Sequence, residues 1–183
     1  CAATPATAAT SVVFYYNANT ACGTTPLPAA TTATTLTTSG ATHRMVFKDA
    51  WLIEANAAPP PGAYPYWVGW DASDAAPAGA TYGTHHGQGR SKQYVAFTTA
   101  PAKAVDSNGN SIWQMSSSAG TTLAGSSGSN LIDPANNLLI GSLTAGNSQC
   151  PGDTPAPVSQ YTRFAPGFVG GGTSATSSKS WRD

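Results

Sequence analysis

The sequence is 183 residues long, 40% hydrophobic and only 9% charged, against roughly 25% charged in an average soluble domain. Eight basic and eight acidic side chains cancel and form no basic stripe, which excludes the electrostatic footprint of a nucleic-acid-binding surface. No apolar run approaches the roughly 20 residues of a membrane-spanning helix, whereas the length suits one compact domain or two small β-barrels sharing an interface.

Along the chain, the first residue is Cys1, followed by small residues as in a mature lipoprotein, so a surface-anchored protein is one reading of the start. Cys1, Cys22 and Cys150 are widely spaced, without a Cys-x-x-Cys pair. Their odd number points to a missing partner or an unpaired thiol, and a Cys22–Cys150 bridge stays open. Thr4 to Thr10 and Pro26 to Thr42 are rich in Ala, Thr and Pro and are expected to be loops. Between them, Ser11 to Tyr16 predicts a first strand. Met45 to Ile53 predicts a second, Gln93 to Thr99 a third, Ser111 to Met115 a fourth and Leu138 to Thr144 a fifth. Asn108-Gly109 lies between the third and fourth as a tight-turn signal. Asp133 to Asn137 turns Asn130-Leu131-Ile132 back into the fifth strand. Ala57 to Pro65, with three consecutive prolines, cannot join a central strand. Asp74 to Ala80 reads as a connection between two halves. Helical periodicity is confined to Ser174 to Trp181. Many short strands separated by turns predict an all-β protein.

The chemistry-bearing segment is Gly125-Ser126-Ser127-Gly128-Ser129. A serine becomes a strong nucleophile when a sharp turn presents it beside a base, and flanking glycines permit such a turn. The amides of Gly125 and Ser127 would then face the substrate oxygen as an oxyanion hole. A Ser/Gly-rich linker produces similar strings, but this one leads straight into a strand pair. Asp49 opens the apolar run Ala50 to Ile53, where a carboxylate is costly to bury without a partner. A triad aspartate needs such a place; an ordinary solvent-facing strand residue is the alternative. His85 and His86 point to opposite faces of a strand and do not share one ion. No third ligand accompanies them, so no metal and no cofactor are expected.

With these residues in view, the chain resembles the chymotrypsin superfamily, most closely the bacterial lysyl-endopeptidase branch of the trypsin-like proteases. The stretch Tyr66 to Asp74, the run Gly79 to His86, Gly125 to Ser129, Gly170 to Ala175 and Trp181 match it in the same order. The resemblance implies a double antiparallel β-barrel with the active site between the barrels. Residues 1–76 would be the remainder of an incomplete first barrel, and 77–183 a second barrel with a short C-terminal helix. It implies Asp49 as triad aspartate and Ser127 as nucleophile, acting on polypeptide substrates through an acyl-enzyme. A secreted monomer is expected.

The sequence departs from that family in three places. Chymotrypsin-like enzymes run histidine, aspartate, serine, yet His43 lies only six residues before Asp49 and reads as a surface residue. In the family a cysteine follows the catalytic histidine; Cys1 fits it, so the sequence would begin just after that histidine and be nearly inactive by itself. The family's disulfide partners would be N-terminal cysteines outside the chain. Second, Ser159 of Val158-Ser159-Gln160-Tyr161 stands where lysine-specific relatives carry aspartate. This favours a neutral pocket for apolar or small side chains, unless Asp153 upstream substitutes. Third, Thr144 stands where some relatives carry a histidine beside the pocket. A non-catalytic, protease-derived binding module is the alternative to the enzyme.

Overall fold

The computed structural model describes residues 4–10, 12–14, 37–61, 63, 65–89 and 92–181, with side chains omitted at 12–14, 180 and 181. Its centre is an eight-stranded sheet. The antiparallel order is β7(Gln93–Phe97), β6(Thr81–His85), β10(Asn130–Asp133), β11(Leu138–Gly146), β12(Ser159–Arg163), β9(Ser111–Met115), β8(Ala102–Val105). A short β5(Gly69–Trp70) adds to β11 in parallel. The all-β expectation holds. The expected barrel, however, is not closed by strand pairing: β7 and β8 end the sheet without pairing. The outer edge of β7 is taken instead by the segment after β9, through an Ala96–Ala119 bridge and a 2.8 Å bond from the Ser118 amide to the Ala96 carbonyl.

Alternation explains the strands. In β6 the residues Thr81, Gly83 and His85 face inward while Tyr82 and Thr84 are half-exposed, the period-2 pattern of a pleated strand. The core joins Val95, Phe97, Trp113, Met115, Leu131, Ile140, Leu143 and Tyr161. Phe97 meets Tyr161 edge-on at 5.8 Å between ring centroids, a favoured aromatic geometry. The Trp113 indole N–H donates to the Ile140 carbonyl at 3.0 Å, so the largest core side chain leaves no polar atom unpaired. Asp106 organises the β8–β9 turn by accepting from the amides of Asn108 and Asn110, both at 2.8 Å. These contacts hold its carboxyl below the usual range, the Asn110 amide contributing most.

Two small sheets flank this one: β1(Val12–Phe14) with β2(Thr37–Ser39), and β3(Ala41–Phe47) with β4(Ala50–Ala55). The strand expected from Met45 to Ile53 is therefore a hairpin, reversing at Lys48-Asp49. Lys48 has φ +52°, an unusual conformation for a non-glycine residue, and nothing in the local sequence signals it. The hairpin is fastened to the β8–β9 turn and to the C-terminal segment by long-range bonds. The Lys48 ammonium donates to the Gly109 carbonyl at 2.6 Å, and the Val46 amide to the Ala175 carbonyl at 3.0 Å.

Helix is scarce. Residues 4–10, expected to be loop, form α1(Pro5–Ala9), because Thr4 and Thr7 make a reciprocal capping box with Pro5 at the first turn. Near the end, α2(Phe164–Val169) precedes a 3₁₀ turn at Ser178–Trp181. The helix expected from Ser174 is thus confined to its last four residues. Asp74, in the segment between β5 and β6, pairs with Lys103 of β8 and Arg163 of β12, each at 3.0 Å.

Candidate active site

The loop from Thr122 to Ser129 crosses the sheet between β9 and β10. Gly125 and Gly128 both have positive φ, +87° and +85°, which L side chains avoid and glycine adopts freely. They reverse the chain twice around Ser126-Ser127. The turn is pinned on several sides. The Ser126 amide donates to the Leu123 carbonyl at 2.9 Å, the Gly128 amide to the Leu143 carbonyl at 2.8 Å, and the Gln88 amide to the Ala124 carbonyl at 2.7 Å. The result turns Ser127 outward and Ser126 inward: Ser127 is exposed, Ser126 only 1% exposed. Among the described residues, the amides of Gly125 and Ser127 donate no hydrogen bond within the chain.

Asp49 sits at the tip of the β3–β4 hairpin. It is exposed there rather than buried at the head of a strand, because the apolar run turns out to be β4 alone. Its carboxylate is nevertheless held: the Thr162 hydroxyl of β12 donates to Oδ2 at 3.1 Å. Asp49 and Ser127 line the same cavity of about 450 Å³, together with Trp51, Ser142 and Thr144. No histidine lines it. The His43 ring instead lies near Trp51, 6.2 Å between centroids.

Thr144 enters this cavity through a bulge. Leu143 pairs with Tyr161 and Ala145 with Gln160, leaving Thr144 as the extra residue of β11. Such bulges re-aim a side chain.

On the other side of Ser127 lies a smaller cavity of about 260 Å³. One wall is Thr122-Leu123-Ala124, the other is formed by Leu143, Ala145 and Gly146, and Ser148 completes it. Among the described residues, no ionisable side chain lines it. Ser159 is buried, 3% exposed, and its hydroxyl lies 3.1 Å from that of Thr122; it reaches this cavity through Thr122. Asp153 is not among the lining residues. It closes its own loop by accepting from the Cys150 amide at 2.7 Å. Cys150 is exposed and has no disulfide partner among the described residues; Cys1 and Cys22 lie outside them.

The family model of the lysyl endopeptidase C-terminal domain matches residues 1–162. The chain belongs to that family. As a lysyl endopeptidase C-terminal domain, it is a peptidase-related protein built of β-sheet, and no helix among its described residues is long and apolar enough to cross a membrane.

Sequence reasoning missed Thr162 near the candidate site, and named His85 only as a strand residue without a metal role. Thr162 carries no motif, and only folding brings it to Asp49. His85 is legible in part: inward-facing Thr81 and Gly83 place it on the core side two residues later. Its partner was not legible. Nδ1 of His85 lies 2.8 Å from Oγ of Ser126, 41 residues away. That contact is a hydroxyl–imidazole pair, but it is no catalytic dyad. His85 is 3% and Ser126 1% exposed, so no substrate carbonyl reaches either atom.

Proposed function

We propose that this protein is a secreted serine endopeptidase in its intact form. The halves 1–76 and 77–183 contribute Asp49 and Ser127 respectively. The observation that carries the reading is the shared cavity: the exposed hydroxyl of Ser127 and the Thr162-held carboxylate of Asp49 face one space. None of the three histidines of the sequence lines that space, so the base of the triad is an imidazole from outside residues 1–183. Ser127 Oγ attacks the scissile carbonyl while that imidazole takes its proton. Asp49 fixes the tautomer of the ring and stabilises the imidazolium. The oxyanion of the tetrahedral intermediate is met by the amides of Gly125 and Ser127, which have no other partner among the described residues. The proton then passes to the leaving amine, and water hydrolyses the acyl-enzyme.

The uncharged walls of the smaller cavity support a preference for small, neutral side chains at the scissile bond. A lysine ammonium buried there would lose its water without meeting a countercharge. Ser127→Ala in the intact gene product should abolish hydrolysis of casein and peptide esters, and full activity in that variant would refute the nucleophile. A second reading, a protease-derived binding module, draws on the same lack of a histidine beside Asp49; in that case the wild-type protein hydrolyses nothing.

A further inference from the structure

The inward-facing half of the serine turn is tied to β6 through His85. Ser126 Oγ accepts from the Leu123 amide at 3.1 Å and touches His85 Nδ1 at 2.8 Å. The Gly87 amide donates to the same Nδ1 at 3.3 Å. With Nδ1 accepting from that backbone N–H, the ring proton sits on Nε2, which is buried without a partner among the described residues, and the Ser126 hydroxyl donates to Nδ1. One neutral tautomer of His85 thus fastens β6 and the following turn to the residue that precedes Ser127. Burial and the neighbouring His86 both disfavour a charged ring. On the facing strand β7 the register partner is Gln93, whose Oε1 is buried without a partner among the described residues; the serine loop offers Leu123 and Ser126, and the titratable group acting on the ring is His86, itself a base.

We propose that His85 is a positioning residue for Ser127. In its neutral form it locks Ser126 inward, so that the next residue stands outward with its amide free; protonation of the ring releases the turn. This rests on the reading of Ser127 as nucleophile for its kinetic consequence, but not for the geometry. Protonation removes the acceptor of the Gly87 amide, sets two N–H groups against each other and forces the Ser126 hydroxyl to rotate. Burial, and secondarily the charge on His86, hold the ring below the ordinary histidine range, so the lock stays closed at neutral pH.

The test is ¹⁵N NMR of the intact protein from pH 8 to pH 4, following the His85 ring nitrogens and the Ser127 amide. The expected result is an Nε2-protonated ring at pH 8 and a Ser127 amide that shifts on the titration of His85. In Ser126→Ala that coupling disappears. Kinetically, His85→Asn keeps an acceptor near the Nδ1 position without a titrating charge and should hold kcat within about threefold at pH 8. His85→Ala should lower kcat by roughly tenfold with KM little changed, the effect of about one lost hydrogen bond. A ring protonated on Nδ1 at pH 8, or a Ser127 amide indifferent to His85, overturns the proposal. Should the wild type show no hydrolysis, the enzymatic reading falls, and the NMR result alone decides this one.

Discussion

The hydroxyl of Thr162 holds the carboxylate of Asp49 across 113 residues of chain, at 3.1 Å. This bond joins the exposed tip of the β3–β4 hairpin to β12 in the middle of the large sheet. It gives a solvent-facing aspartate a fixed direction toward the cavity that Ser127 shares. A hydrogen bond to a charged acceptor contributes about 1.5–3 kcal/mol in favourable settings, and less where water competes.

Thr162→Val preserves the shape of the side chain and removes the donor. Peptide hydrolysis by the intact protein should fall about tenfold, with a loss of stability near 1 kcal/mol in urea unfolding. Asp49→Asn should be far more severe, on the order of 10⁴ in kcat, as expected when the tautomer-fixing carboxylate of a triad is lost. Equal, small effects of the two substitutions would mean that Asp49 is a surface turn residue and nothing more.

The pocket prediction concerns Thr122 and Ser159. Their hydroxyls are paired beside a cavity without a charged wall, so nitroanilide peptides ending in a small neutral residue should be cleaved at least about tenfold faster than lysine counterparts. Ser159→Asp should move the ratio toward lysine, at a cost in stability from burying a carboxylate. A wild-type enzyme that prefers lysine would contradict the placement of this pocket.

How far the sequence foretold these features depended on local signals. Ser111 to Met115 is a strand with the same ends as expected, and Asp133 to Asn137 is the predicted turn between β10 and β11, because both carry strong strand and turn chemistry. Strands β8 and β12 were not legible and β6 only at its His85 end: Gly83, Lys103 and Gln160 break their apolar character, and their register is set by neighbours distant in sequence. The Lys48-Asp49 reversal was missed for the opposite reason, since its flanks form one continuous strand-like run. At the site, the Gly-Ser-Ser-Gly turn could be read from its glycines. The contacts that orient it, to His85, Gln88 and Leu143, depend on tertiary folding alone.

The core makes a prediction independent of function. The Tyr161 hydroxyl is buried without a hydrogen-bond partner among the described residues, and burial pushes its phenol well above the usual range. Tyr161→Phe should therefore be neutral or stabilising by up to about 1 kcal/mol, because an unsatisfied buried hydroxyl is removed. Leu131→Ala, emptying a fully buried position, should cost about 2–5 kcal/mol. Thermal and urea unfolding check both; a marked loss in Tyr161→Phe would reveal a partner for the hydroxyl.

Stability should also depend on pH through His85. Its pKa is lowered on folding, so in mildly acidic solution the unfolded chain binds the extra proton and the folded chain does not. The contribution is complete above the ordinary histidine value of about 6.5 and is lost as pH falls from there through the folded value. Urea midpoints should decline between pH 7 and pH 5, and His85→Asn should flatten that decline. A midpoint that rises on acidification would contradict the sign.

An activated hydroxyl at position 127 is measured most directly by covalent labelling of the intact protein with a fluorophosphonate. Mass spectrometry of the labelled, digested protein should find the phosphonyl group on Ser127, with fluoride displaced, and labelling should collapse in Asp49→Asn. An unlabelled wild-type protein, or a label that persists in Ser127→Ala, would contradict it.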